Sequence, residues 1–177
     1  ETYRGRDGSL TVTTMDWNDP LCEAFMEGAM SLGIPRNPDY NGAIQEGVSY
    51  CQRTIENGLR MSAAKAFLHP ARKRGNVDVR THAHVTNIIF EGKRAVGVRY
   101  LKGGKGGTPI EVRASKEVIL SGGAYNSPQV LQLSGIGSPE LLQSHGIEVR
   151  HALPGVGEGL QDHYAPRSVA RVKNIRT

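Results

Sequence analysis

Ser121-Gly122-Gly123 is the place in this chain where residue type and spacing come nearest to cofactor chemistry. The run before it, Lys116 to Ser121 (KEVILS), is nearly all apolar and reads as a strand buried on both faces of a parallel sheet. The glycines break that strand, and Ser127-Pro128 open a helix through about Leu133. Glycines without a Cβ let backbone amides approach a cofactor, and the helix that follows presents unpaired N–H groups. Nucleotide sites of open α/β sheets lie at such carboxyl ends of strands. A strand–glycine–helix join is also a common fold element, and by pattern alone that plainer reading outweighs the nucleotide one.

Other reactive residues point to less. The six histidines are His69, His82, His84, His145, His151 and His163, and no pair has H-E-x-x-H spacing. His82 and His84 are read as sharing one strand face, but with no third ligand a surface or cofactor-lining role outweighs a metal site. Asp162-His163 has the composition of an acid/base pair, yet adjacent Asp and His on a turn usually serve local capping. Ser121, Ser127 and Ser134 lack a G-x-S-x-G elbow, which argues against a serine hydrolase. Gly135-Ile136-Gly137 reads as a helix end more readily than as a phosphate turn. No catalytic residue and no metal-ligand set is assigned.

Composition narrows the class. The chain has 177 residues, 38% hydrophobic and 22% charged, as in a soluble globular protein with one domain or pieces of two. Aromatics at 6% argue against a base-stacking nucleic-acid platform. The net charge of +5 is spread along the chain; the densest group, Arg72 to Arg74, complements a helix C-terminus. Cys22 and Cys51 make no CxxC, so reduced thiols in a cytoplasmic compartment are expected. No apolar run reaches membrane-spanning length, and the N-terminus is not a signal peptide. Glu1 is not a natural start residue, so a trimmed chain is expected.

Stepping outward to the elements, Ser9 to Thr13 alternates and is predicted as a strand. Asp19-Pro20 caps a helix carrying Leu21, Phe25, Ala29 and Leu32 on one face, ended by Gly33. Arg36 to Gly42 is a loop, and Val48 to Ile55 a strand closed by Asn57-Gly58. A helix is predicted from Ser62 to about Lys73, kinked or ended by Pro70. Val77 to Val85, Asn87 to Phe90, Ala95 to Leu101 and Ile110 to Arg113 form a β-meander, with the glycines at 103, 104, 106 and 107 as a hairpin tip. A short helix, Pro139 to His145, precedes a strand from Ile147 to Leu153 and a turn region, Pro154 to Gly159.

The residue strings carry more than the patterns. SGGAYNSPQVLQLSGIG, Ser121 to Gly137, resembles the second signature of the glucose–methanol–choline (GMC) oxidoreductases: Ser127-Pro128, two aliphatics at Val130-Leu131, then Ser134-Gly135-Ile136-Gly137 at fixed spacing. Asn41-Gly42 with Gln45-Glu46-Gly47, Gly58 to Ser62, Phe90 to Val98, Leu153 to Gly157 and Leu160 to His163 are similar to the middle of bacterial choline dehydrogenase-like members. Gly159 stands where the family usually has Asn.

The resemblance implies an α/β fold with mixed α+β content: part of an FAD-binding GMC fold with a β-meander, plus part of an antiparallel-sheet substrate domain. Residues 1–60 are expected in the substrate domain, 61–160 in the FAD domain, and 161–177 returning towards the substrate domain. It implies FAD in the full-length protein and oxidation of the CH–OH group of a small alcohol by hydride transfer to the flavin. Val85, on the Thr81 to Val85 string, and Ser121 and Gly122 match family positions at the ADP end of the cofactor. The family's dinucleotide fingerprint, first signature and C-terminal histidine base have no counterpart here, so the chain alone is expected to bind no FAD, to be inactive, and to self-associate through uncovered apolar surface. Either oxygen or a membrane quinone fits as electron acceptor, which leaves the cytoplasm or the periphery of the inner membrane as the location. Two other readings are a hydroxynitrile lyase of the same fold and a non-enzymatic interaction module.

Overall fold

The computed structural model describes residues 3–173; Glu1, Thr2 and the last four residues of the 161–177 tail lie outside the described residues. Two compact units divide the chain between Asp78 and Val79 and again between Arg167 and Ser168. This grouping puts residues 61–78 with those that precede them.

The first unit is built around α1, Pro20–Ser31. Its start follows from sequence: the Asp19 carboxylate accepts from Leu21 N at 2.9 Å and Cys22 N at 3.1 Å, and Pro20 fills the first turn, where no N–H is needed. Gly33, at φ 86°, ends it as predicted. The helix buries Met26. Arg36 forks onto Glu23 at 2.8 and 3.1 Å. The loop beyond is organised by buried Asn37, which donates to Ile44 O and Glu46 O and accepts from Asp39 N at 2.8 Å. Gly47 closes it at φ 136°, where a Cβ would lie 2.6 Å from Pro35 O.

The predicted strands at 9–13 and 48–55 are mostly absent. What remains is a bridge between Thr13 and Arg53, another between Arg36 and Val48, and the hairpin of β1 (Ile55–Glu56) with β2 (Leu59–Arg60). The β-branched alternation at 9–13 suits a half-covered surface, but only Thr13 finds a ladder partner. The hairpin turn is as expected, with Asn57 and Gly58 both at positive φ. The predicted helix at 62–73 is a π-helical turn, Ala64–Leu68, running into α2, His69–Lys73. Pro70 has no N–H for the carbonyl of Ala66 and its ring crowds the preceding turn, which the wider π spacing accommodates.

The second unit contains the meander: β3 (Ala83–Glu91), β4 (Arg94–Lys102) and β5 (Thr108–Arg113), antiparallel and in that order. Two predicted strands merge into β3, because the break expected near residue 86 is a bulge between Val85 and Asn87. The strand starts at Ala83 and not at Val77. His82 sits at φ 54°, and its carbonyl accepts from Gly103 N and Gly104 N, closing the glycine hairpin. His82 is therefore off the ladder and does not share a strand face with His84, correcting the sequence reading. Ile88, Val96 and Tyr100 are buried on this sheet. Gly97 is required where β4 meets β5, since a Cβ there would lie 2.2 Å from Val112 O.

Residues 116–121 make no ladder among the described residues, so the strand expected there is an extended run with Ile119 76% exposed. Helix α3 spans Gly123–Leu133, starting four residues before the predicted opening and taking Pro128 into its interior. Then β6 (Ile136–Gly137), α4 (Pro139–Ser144) and β7 (His151–Ala152) follow, with β6 and β7 paired in parallel. The strand predicted from Ile147 to Leu153 shrinks to β7, because β6 offers it two residues of ladder. Leu142 of α4, 1% exposed, is the most buried large side chain described. Among the described residues no helix is long and apolar enough to cross a membrane.

Candidate cofactor-binding site

The three sequence-predicted positions all fall in the second unit. Val85 is half-buried on β3 and pairs with Tyr100 just before the bulge. As β3 is an edge strand of its sheet, its backbone groups that face away from β4 lie outside the ladder. Ser121 and Gly122 are exposed at the start of α3. Gly122 is the helix N-cap, and its N–H donates to Ser127 Oγ at 3.0 Å. That bond gives Ser127 a positioning job in place of the helix-opening one assigned from sequence. Around Gly123, at φ 84°, a Cβ would meet nothing within 4 Å, so the first turn of α3 has open space before it.

Val85 and Gly122 are linked through elements, not through a direct contact. The bond between α3 and β3 is made at the far end of the helix. Ser134 Oγ donates to Val130 O at 2.6 Å and accepts from Ile88 N at 2.8 Å, with Ser134 buried. One hydroxyl thus completes the last helical turn and satisfies an edge-strand amide. The rest of the segment is equally committed. Gly135, at φ 83°, faces the carbonyl of Glu148, where a Cβ would stand 2.5 Å away. Ile136 pairs with His151. Gly137 lies against Gln132 and Leu142. Gln132 Nε2 donates to Val156 O at 3.0 Å, holding the Pro154 to Gly159 turn against the helix.

Gln132 is the residue that sequence reasoning passed over. Its signal was faint: a polar side chain two positions before the helix-ending serine. Gly135-Ile136-Gly137 was read as a helix end; Gly135 follows the Ser134 cap, while Ile136 and Gly137 form β6, and the bond from Ser134 to β3 has no sequence mark.

Beside Val85, its partner Tyr100 lines a cleft of about 370 Å³ with Arg80, Thr81, Lys102 and Ile110. Arg80 Nη1 donates to Tyr100 Oη at 3.2 Å. On the outer face of the meander, the Arg99 guanidinium holds the Glu111 carboxyl below the usual carboxylate range. No group of three His, Cys, Asp or Glu is placed to hold a metal ion among the described residues. Among the described residues, Asp162 and His163 make only a local contact, His163 N to Asp162 Oδ1 at 2.8 Å.

Comparison with known proteins gives this geometry its context. The family described as GMC oxidoreductase matches residues 2–165. An oxygen-dependent choline dehydrogenase of Staphylococcus aureus strain MSSA476 is 48% identical over 163 residues, 92% of this chain and 28% of the relative. The protein of the same name from strain JH9 is 47% identical over the same span. Among solved structures, an FAD-dependent oxidoreductase from Chaetomium thermophilum superimposes with a TM-score of 0.82 at 33% identity, covering 87% of this chain and 27% of that one. Pyridoxine 4-oxidase from Mesorbium loti gives 0.69 at 29% identity, covering 85% and 29%. The chain thus spans little more than a quarter of the length of these relatives.

Proposed function

The chain belongs to the GMC oxidoreductase family, and from that premise we propose that it supplies part of an FAD-dependent enzyme that oxidises the CH–OH group of a small alcohol, choline or a close analogue. The observation that carries this reading is the 48% identity to an oxygen-dependent choline dehydrogenase over 92% of the chain. In this reading residues 1–60 contribute to the substrate domain, 61–160 to the FAD domain, and 161–177 lead back towards the substrate side.

The residues present fit the adenine end of FAD. Val85 lies on the edge strand β3, and beyond Gly122, whose own N–H goes to Ser127 Oγ, the first-turn amides of α3 have no intrahelical partner and suit a diphosphate. The Arg80 and Lys102 cations beside Tyr100 add favourable charge. FAD, when bound, supplies the two-electron acceptor for hydride transfer from the alcohol carbon. This chain's part is to bind and orient the cofactor; none of its six histidines is assigned as the base.

The test is steady-state dye reduction and oxygen uptake by the longer polypeptide that contains this chain, with a panel of alcohols including choline. Turnover with an alcohol and bleaching of the flavin on anaerobic mixing are expected. A flavoprotein that no alcohol reduces, or one that cleaves cyanohydrins without redox change, overturns the proposal.

A further inference from the structure

The cleft formed by the meander tip and the β6–β7 pair shares no lining residue with the positions assigned to FAD. It has a volume of about 280 Å³ and is lined by Phe90, Gly92, Lys93, Ile136, Arg150 and His151. Each wall is fixed by backbone pairing. Phe90 pairs with Ala95 just past a register shift whose extra residue, Val96, lies on β4. Gly92 and Lys93 form the two-residue turn between paired Glu91 and Arg94, with Gly92 at φ 57°. Ile136 and His151 face each other in the parallel ladder.

The Arg150 guanidinium lies over the Phe90 ring, 5.5 Å from its centre. Among the described residues the Arg150 guanidinium donates to no side-chain or backbone acceptor, which leaves its N–H groups for a planar oxyanion. Among the described residues no carboxylate pairs with Arg150 or Lys93: Glu91 pairs with Arg113 at 2.6 Å, and Glu148, which lines a neighbouring cleft with Arg150, makes no ion pair with it. A largely apolar cleft with two cations that have no carboxylate partner matches an anion of mixed character.

We infer that this cleft is a binding site for a small organic carboxylate with an apolar body, its carboxylate held by Arg150 and Lys93 and its body against Phe90 and Ile136. The guanidinium fork selects a planar carboxylate, and the apolar floor disfavours a fully hydrated inorganic anion.

The experiment is a titration of the 177-residue chain with benzoate, followed through ¹H–¹⁵N amide shifts. Saturable shifts are expected at Phe90, Gly92 and His151. Arg150→Gln should weaken binding about tenfold or more, Arg150→Lys less, and Lys105→Gln, at the glycine hairpin tip, not at all. Inorganic phosphate is titrated alongside. Shifts with phosphate but none with benzoate overturn the carboxylate assignment. So do benzoate shifts that Arg150→Gln leaves unchanged, and so does a wild-type spectrum without the amide dispersion of the meander. The outcome does not depend on whether the longer polypeptide turns over an alcohol.

Discussion

The hydroxyl of Ser134 accepts a hydrogen bond from the backbone N–H of Ile88 at 2.8 Å, joining the end of α3 to an inner position of β3 across 46 residues of sequence. Both residues are buried, so water has little access to replace either partner. Ser134→Ala leaves a buried amide unpaired and should cost about 1–3 kcal/mol. Urea unfolding measures the loss. Faster hydrogen exchange at the Ile88 amide locates it, and an unchanged exchange rate there would show that the bond contributes nothing.

Two glycines of the same turn should behave differently. A Cβ on Gly157, at φ 88°, would meet Gln132 Nε2 at 2.7 Å, whereas one on Gly155 would meet nothing within 4 Å. Gly157→Ala should loosen the turn from α3 and open residues 154–159 to limited proteolysis. Gly155→Ala should leave the cleavage pattern as it was. Equal patterns for both variants would refute the role given to Gln132.

Acid should weaken both units through named pairs. Arg36 holds the Glu23 carboxyl, and Arg99 the Glu111 carboxyl, below the ordinary value of 4.5. A carboxyl whose folded pKa is depressed binds its proton less readily when folded, so its stabilisation is full above 4.5 and fades as pH falls through the folded value. Glu23→Gln and Glu111→Gln should each flatten the fall in stability below that point and change little at pH ~7 beyond the loss of one exposed pair. Thermal melts across the acid range decide it, and a fall as steep in the variants as in the parent refutes the assignment. Added salt should reduce the difference, since both pairs face solvent.

Ile119 and Tyr125 are 76% and 75% exposed, on the unpaired run and the first turns of α3. Apolar surface of this kind drives association. The 177-residue chain should therefore sediment as a concentration-dependent mixture, and Ile119→Ser with Tyr125→Ser should shift it towards monomer. The same preparation should carry no flavin absorbance. A monomeric parent, or a yellow one, would each contradict the corresponding expectation.

Legibility in the sequence followed the range of the interactions. Helix α1 was read at both ends, because Asp19, Pro20 and Gly33 act on neighbours within the same turn. The meander was read because its hairpins close through local glycines. The strands at 9–13, 77–82 and 147–150 were over-read: β-branched or apolar residues advertise a surface, but a ladder needs a partner that local sequence does not name. The π-helical turn was missed because Pro70 reveals a disruption without revealing how the chain absorbs it. Ser121 and Gly122 came from a spaced family signature where periodicity alone left an ordinary strand–glycine–helix join, and Val85 came from the resemblance of the Thr81 to Val85 string.

Both Ser134 and Gln132 spend their side chains on main-chain atoms, the amide of Ile88 and the carbonyl of Val156. Every residue except proline carries that amide, and every residue carries that carbonyl. Inheritance of either join is therefore one-sided: the serine or glutamine must be copied faithfully, while its counterpart is free to drift in side chain. Such a contact casts no shadow in paired substitutions. It will be found by measuring exchange at single amides and missed by any search for residues that change together.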